Sequence, residues 1–336
     1  MNYKIITPIR FFKYTSGYTH ILDNNLTLIT ATSEIFIQKF NDMAFFSQVG
    51  VISSKRISEC DCYLFESNFE KADLDISVSD ANMLLHEIGG MMEFYTNALW
   101  LVKDNSCFCL ESYMVSGDYQ FINTVVKNVF ASNAKGEYST VAFDQNDLES
   151  AINLTHSIRK IATKSNVMEV EIIDNVEFHP GVNGTRSLAD DKFNRIERAF
   201  HLVVKARMNS VLTEKISFYV AALEALFTTD NFEVKYKVAQ RATLFLGGNS
   251  NEMLENKKLI EICYKIRSNY FHGGNQDKKL QKRETLQNIS VQMDCILRRF
   301  FIKILTGDPQ IFLNEDGLAN WFEELLYSNW IAPKSI

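Results

Sequence analysis

Apolar positions in the first half of the chain come mostly in short runs separated by polar breaks. Runs of this length between turn-forming residues are typical of β-strands. The predicted strands are residues 3–7, 20–22, 26–30, 49–52, 62–65, 107–114, 139–143 and 167–178. Longer apolar or amphipathic stretches at residues 82–102 and 146–163 predict two helices. This half therefore has the pattern of a mixed α/β domain with a small sheet.

From residue 188 onward the apolar positions recur every three or four residues, which is the period of an amphipathic helix. The pattern predicts six helices, at residues 188–208, 211–227, 232–246, 256–272, 283–306 and 317–327. A loop of turn-forming residues at 179–185 separates the two patterns. The predicted fold class is α+β, with an N-terminal mixed α/β domain over residues 1–180 and an all-α bundle over residues 188–330.

Charge is distributed unevenly between these two parts. The whole chain of 336 residues has a formal net charge of −6. Residues 188–306 hold 20 Lys and Arg against 13 Asp and Glu, a balance of +7, whereas residues 1–187 hold 14 against 23, a balance of −9. A basic half suits a nucleic-acid partner, although uneven charge is also common in proteins that bind none. The sequence shows no signal-peptide pattern and no apolar span of membrane length, so a cytoplasmic protein is expected.

Four of the six cysteines form two Cys-x-Cys pairs, Cys60 with Cys62 and Cys107 with Cys109. Residues i and i+2 of a strand share a face, so four thiolates from two strands could bind zinc. The usual spacing in zinc sites is Cys-x2-Cys, however, and no histidine lies nearby in a helpful register. Reduced, half-buried strand cysteines are the favoured interpretation, and no metal or cofactor is expected.

The helix predicted to end near residue 272 carries one charge inside its apolar arc. On a helical wheel Arg267 projects between Cys263 and Phe271. A buried guanidinium without a partner costs several kcal/mol, so Arg267 must meet a carboxylate, line a water-filled cleft or face a partner subunit. Glu224, at the edge of an earlier apolar stripe, is either that carboxylate or solvated. Gly273 is predicted to end the helix in the left-handed conformation.

Arg267 and His272 suit phosphate chemistry, because a guanidinium binds phosphate oxygens and an imidazole transfers protons near neutral pH. Five residues correspond to 140° on a regular helix, so spacing alone does not place the two side chains on one face. The plainer alternative is an arginine in an intramolecular ion pair and a histidine that interacts with the helix dipole.

The sequence around these residues resembles a known family. Residues 267–273 read Arg-Ser-Asn-Tyr-Phe-His-Gly, which is similar to the Arg-x4-6-His motif of HEPN ribonucleases. Upstream, Val-Lys-Tyr-Lys-Val-Ala-Gln-Arg-Ala-Thr-Leu-Phe-Leu-Gly at 234–247 and Ala-Leu-Glu-Ala-Leu-Phe at 222–227 resemble the Apea-like branch. The resemblance covers residues 190–305. The family often has Asn, Asp or His directly after the arginine, whereas this chain has Ser268 followed by Asn269.

The resemblance implies a metal-independent endoribonuclease that binds RNA and works as a homodimer through the helical domain. Attack of the ribose 2′-hydroxyl on the adjacent phosphate would give a cyclic phosphate and a 5′-hydroxyl. His272 would transfer the proton and Arg267 would stabilise charge on the phosphoryl oxygens. Ser268 and Asn269 would orient the substrate, and Glu224 would support Arg267.

The resemblance also suggests a prokaryotic antiviral-defence or toxin-like setting. The N-terminal domain would then act as a sensor for a regulatory ligand or protein. The main alternative is a non-catalytic HEPN module that binds RNA or a nucleotide and serves as a dimerisation or sensor partner. A third possibility is a purely structural dimer with Arg267 held in an ion pair.

Overall fold

The computed structural model describes residues 2–23, 25–31, 49–68, 78–116, 122–127, 129–162 and 193–331, together with Phe45 and Ser47. The predicted strand at 167–178 and the predicted domain boundary at 179–185 lie outside these residues. The α+β fold class is confirmed, with a small antiparallel sheet in the N-terminal part and helices throughout the described C-terminal part. In the described ranges, no helix is long and apolar enough to cross a membrane.

The N-terminal part is built on a sheet whose centre is its first strand. The strands are β1 (Asn2–Arg10), β2 (Phe12–Tyr14), β3 (Thr19–Asp23), β4 (Leu26–Ile29), β5 (Cys62–Asn68), β6 (Phe108–Cys109), β7 (Glu111–Ser116), β8 (Ile122–Val126) and β9 (Val141–Phe143). Seven of them form an antiparallel sheet in the order β3-β4-β5-β1-β7-β8, with β6 beside β1, and β2 pairs with β9 in parallel. Successive residues of a strand point to opposite faces, and both Ile5 and Ile6 of β1 are fully buried. Both faces of the sheet are therefore covered.

In the described ranges, three helices surround this sheet: α1 (Val51–Ser58), α2 (Val78–Val102) and α3 (Gln145–Ile161). Met92 and Leu99 of α2 belong to the same hydrophobic cluster as Ile5 on one face. Ile57 of α1 belongs to the cluster of Ile6 on the other face. Helix α3 begins at a capping box between Asp144 and Asp147 and packs along α2.

The predicted strand at residues 49–52 is wrong, because these residues lead into α1. Val51 and Ile52 are 85% and 70% exposed, so their β-branched side chains are not packed in a sheet. Gly50 adopts a φ of 82°, and the Ser54 hydroxyl donates to the Gly50 carbonyl within the first turn of the helix. Strands β2 and β8 were not predicted.

The C-terminal part contains α4 (Arg195–Arg207), α5 (Leu212–Phe227), α6 (Val234–Leu246), α7 (Ser250–Phe271), α8 (Arg283–Thr306), α9 (Gln310–Leu313) and α10 (Glu315–Ile331). The six predicted helices correspond to all of these except α9. Helix α5 is central and packs against α4, α6, α7 and α8. Helix α7 begins six residues earlier than predicted, because Asn249 and Glu252 form a capping box.

Both parts of the chain contribute to one large hydrophobic cluster. Trp100 of α2 and Ile158 of α3 lie in the same cluster as the core residues of α5 and α8. The Trp100 indole N–H donates to the Asp294 carboxylate of α8 at 2.7 Å. The division into two domains stays a prediction, but the described residues on either side share a core.

A buried polar network accompanies this shared core. Asp294 is fully buried and also accepts from the Tyr219 hydroxyl at 2.9 Å, and its second oxygen lies 3.2 Å from Arg298. Arg207, 2% exposed, donates to the Asn105 side chain at 2.7 Å. Since buried polar groups need partners, this network fixes how the helices of the two parts meet.

Candidate functional site

Helix α7 carries the predicted site on the side that the core leaves free. Leu259, Ile260, Cys263 and Ile266 are buried against the bundle. Burial raises the pKa of the Cys263 thiol to about 12, so this cysteine stays protonated near neutral pH. The remaining face of the helix is open to solvent.

That open face lines a cleft of about 730 Å³. The lining residues are Lys235 of α6 and, along α7 and at its C-cap, Lys258, Glu261, Ile262, Tyr264, Lys265, Arg267, Ser268, Asn269 and His272. Arg267 and His272 thus line one cleft despite their 140° separation. The lining runs along α7 over residues 258–272, roughly 20 Å at 1.5 Å per residue, so it includes side chains from a broad arc of the helix.

The cleft is positively charged. Its lining contains four Lys and Arg residues and one acidic residue, Glu261, so its formal charge is +3 with His272 neutral. Lys258, Lys265 and His272 are spaced seven residues apart, which places them on one face of α7. This spacing is a signal in the sequence that could have identified the two lysines. Lys235 could not be found in that way, because it belongs to a different helix.

Arg267 is held by Glu224 of α5. Its Nη1 donates to the Glu224 Oε1 at 2.7 Å, and the two side chains are 33% and 23% exposed. The guanidinium makes no second hydrogen bond within the described residues. Its other N–H groups are therefore available to an anion. The need of Arg267 for a counter-charge is met within one chain. An unsatisfied arginine therefore gives no argument for a partner subunit, and the homodimer stays a prediction from the resemblance.

Glu224 also influences a second side chain of the cleft. Burial and the neighbouring Glu224 carboxylate raise the pKa of the Tyr264 phenol well above its usual range. Tyr264 is consequently protonated at any pH at which the fold would be studied. Tyr264 therefore presents a neutral phenol beside Glu224 and Arg267.

His272 is exposed at the C-cap of α7, where its backbone N–H donates to the Ser268 carbonyl at 3.0 Å. The predicted glycine stop is confirmed, because Gly273 follows with a φ of 68°. The side chain is thus presented at the end of a fixed helix.

The two residues predicted to orient a substrate differ in their surroundings. The Asn269 amide nitrogen donates to the Asn275 carbonyl at 3.3 Å and the Gln276 Oε1 at 3.2 Å. Asn269 therefore stabilises the loop that follows His272. Ser268 is exposed on the cleft lining.

The described cysteines are all free thiols, with Cys62, Cys107 and Cys109 buried. Within the described ranges, no group of three or more His, Cys, Asp or Glu side chains is placed to hold a metal ion. Comparisons with protein-family models, with curated proteins and with solved structures find no match for this chain.

Proposed function

We propose that the chain is a HEPN-type, metal-independent endoribonuclease that acts as a homodimer through its helical part, in a prokaryotic defence setting. The observation that carries the proposal is that one basic cleft is lined by both Arg267 and His272. A guanidinium fixed by a carboxylate, an exposed imidazole and three lysines match the charge and proton-transfer needs of phosphodiester cleavage.

In this proposal the ribose 2′-oxygen forms a bond to phosphorus and the bond from phosphorus to the 5′-oxygen breaks. The 2′-hydroxyl proton passes to an imidazole, and the 5′-oxygen receives a proton, so that the products are a 2′,3′-cyclic phosphate and a 5′-hydroxyl. In a two-fold dimer the two His272 side chains divide these proton transfers. Arg267, oriented by Glu224, stabilises charge on the non-bridging oxygens.

The second candidate function is RNA binding without cleavage. It is favoured by the surroundings of His272, whose imidazole has no carboxylate partner among the described residues to fix its tautomer and orientation. The deciding experiment incubates the purified protein with end-labelled RNA in EDTA and analyses the product ends. A 2′,3′-cyclic phosphate that depends on His272 supports the nuclease, whereas retention of intact RNA by the cleft supports the binding module.

RNA affinity is expected to depend strongly on salt, because lysines and Arg267 that neutralise phosphates release counterions. Three or four contacts to a single strand predict a loss of about 20- to 50-fold between 50 and 200 mM salt. Fluorescence anisotropy of labelled RNA with a His272→Ala protein measures this without cleavage. The double variant Lys258→Gln/Lys265→Gln should lower the slope of log K against log salt by about 1.4.

The matched control is Lys278→Gln/Lys279→Gln, which removes two exposed lysines that do not line the cleft. Its slope should equal that of the parent protein. If both double variants change the slope equally, RNA binds by diffuse attraction and not in this cleft.

Glu224→Gln tests the orientation of Arg267. The variant keeps the size of the side chain and removes its charge, so the guanidinium loses an ion pair worth about 1 kcal/mol at this exposure and becomes less well placed. We expect the cleavage rate to fall about tenfold at saturating RNA, with circular dichroism and the melting temperature nearly unchanged. Glu261→Gln, which removes a cleft carboxylate that pairs with Lys257 and not with Arg267, should keep full activity and bind RNA at least as tightly. Equal rates for wild type and both variants would show that the ion pair has no role in positioning.

A further inference from the structure

A second cavity, of about 670 Å³, lies within the N-terminal part and shares no lining residue with the cleft of Arg267. Three stretches of chain form most of its wall. They are residues 9–18 around the junction of β1 and β2, residues 30–31 after β4, and residues 58–61 from the end of α1 to the start of β5. A volume of this size falls in the range of roughly 300–1,000 Å³ that is typical of small-molecule sites.

Arg10 lines this cavity with most of its hydrogen-bonding capacity free. A guanidinium has five N–H donors, and within the described residues the hydrogen bond of Arg10 runs from Nη1 to the Cys60 Sγ at 3.4 Å. The Glu111 Oε1 lies 3.8 Å from the Arg10 Nη2, beyond hydrogen-bond distance, and is held more closely by Arg56 at 2.7 Å. Lys13 is exposed on the same wall and forms no ion pair in the part of the chain that the structure describes. Two cations of the wall are therefore available to an anion.

The two acidic residues of the wall already have partners. The Asp61 Oδ2 accepts the Tyr14 backbone N–H at 2.7 Å, and the Ala31 backbone N–H also donates to this carboxyl group. Burial raises the pKa of Asp61, because a low-dielectric environment disfavours the charged form. The Glu59 Oε1 lies 3.9 Å from the Lys55 Nζ, one turn earlier on α1. The charge that remains free on the wall is therefore positive.

Two further side chains of the wall lack partners. Thr30 is only 6% exposed, and its hydroxyl has no hydrogen-bond partner within the described ranges. Since buried polar groups normally have a partner, this hydroxyl is an unused donor at the cavity. The Tyr18 side chain is 67% exposed, and its ring contacts no other aromatic ring among the described residues. It offers an open face on which a planar ring can stack.

We propose that this cavity binds a small aromatic anion, with the acidic group at Arg10 and Lys13 and the planar ring against Tyr18. The groups that the wall leaves free are hydrogen-bond donors and one aromatic face, and an acceptor-rich anion with a ring complements both. Nucleoside phosphates and aromatic carboxylates share this chemistry. Every lining residue belongs to the N-terminal part, so the ligand is of the class expected to regulate through that part. This inference does not rest on the proposed nuclease activity.

The test uses the full chain and isothermal titration with three probes. AMP represents the phosphates, indole-3-acetate represents the carboxylates, and tryptamine joins the indole ring to a cation. At least one of the two anions should bind, and tryptamine should bind about tenfold more weakly or not at all. The tighter of the two anions identifies the source of the acidic group.

Arg10→Gln removes the main cation of the wall. It should weaken binding of that anion about tenfold or more, because charge-assisted hydrogen bonds are lost, and the melting temperature verifies folding. Arg267→Gln, which changes the other cleft, should bind the anion as the wild type does. If Arg267→Gln abolishes binding and Arg10→Gln does not, the anion occupies the cleft of Arg267 and the proposal is overturned.

A second measurement locates the anion without any substitution. Cys60 lines the cavity and is partly exposed, whereas Cys295 is exposed on α8 and does not line it. A saturating concentration of the anion should slow the reaction of Cys60 with N-ethylmaleimide, followed by mass spectrometry, and leave the rate at Cys295 unchanged. An unchanged rate at Cys60 would contradict the proposal.

Tyr18→Ala tests the stacking face and removes a side chain that the core does not use. It should weaken binding about three- to tenfold. The matched control is Tyr327→Ala, which removes a tyrosine that is 62% exposed outside the cavity and should bind as the wild type does. The proposal is also overturned if neither anion binds, if tryptamine binds as tightly as the anions, or if a folded Arg10→Gln and Tyr18→Ala both bind as the wild type does.

Discussion

His272→Ala is expected to lower the rate of RNA cleavage by about 10²- to 10⁴-fold and to leave the protein folded. A positioned imidazole that transfers a proton typically contributes a factor of this size. The stability should change little, because the side chain is exposed and the backbone N–H of residue 272 still donates to the Ser268 carbonyl. An imidazole that only contacts phosphate would be dispensable for the chemical step.

The measurement is single-turnover cleavage of end-labelled RNA in EDTA, with the product ends identified as cyclic phosphate. His156→Ala is the matched control, because His156 is also exposed on a helix but lies outside the cleft. Arg267→Lys should also cleave poorly, since lysine keeps the charge but loses the bidentate fork that fits a phosphate. If His272→Ala cleaves as fast as wild type, the activity belongs to a contaminant or another site, and the RNA-binding interpretation replaces the nuclease.

The helices were largely predictable because their apolar stripes are long. The predicted and observed bounds of α8 agree, since a core stripe that includes Ile289, Met293 and Phe300 persists to the last turn and Gly307 follows. The start of α7 was missed because Met253 and Leu254 are the only apolar residues among 250–255, and neither of them is buried. Residues 250–255 are helical through their capping box and not through an apolar face.

The candidate site was only partly predictable. The motif identified Arg267 and His272, and Glu224 was identified as a partner for Arg267 without a way to choose between an ion pair and solvation. Spacing along one helix gives the face of a side chain but not which neighbouring helix lies opposite, so the contribution of Lys235 needed the tertiary structure. The strand at 49–52 was wrongly predicted because the tertiary structure was again unknown. β-branched residues favour a strand only where a sheet packs against them.

Lys215 is a charged residue on an apolar helical stripe, and the sequence analysis did not single it out. It lies four residues before Tyr219 and seven before Ala222, on the apolar stripe of α5, as Arg267 lies within the arc of α7. The side chain is fully buried, and its Nζ donates to the Ala206 carbonyl at 3.0 Å and the Ser132 carbonyl at 3.4 Å. A charged residue on a helical stripe is therefore worth testing as a buried group wherever it occurs.

Lys215 is expected to contribute an increase in the free energy of unfolding between pH 7 and pH 10. Burial lowers the pKa of Lys215 to about 7 from an ordinary 10.5, against the opposing effect of Asp294, and Arg207 lowers it further. Below pH 7 the ammonium is charged in both states, and the folded state bears the full desolvation penalty. Between about 7 and 10.5 the unfolded chain binds more protons than the folded one, so the free energy of unfolding increases with pH. For this group alone the increase from pH 7 to pH 10 is about 3.5 kcal/mol.

Urea unfolding of wild type and Lys215→Met at both pH values isolates this contribution. Burial raises the pKa values of Cys107, Cys109 and Cys263 to about 12, so these thiols lower stability above about pH 9. That effect is common to both proteins and cancels in their difference. Asp104, whose pKa burial raises to about 6, titrates below this range. The free energy of unfolding of wild type minus that of Lys215→Met should therefore increase from pH 7 to pH 10. An equal change with pH in both proteins would mean that Lys215 is not the buried titrating group.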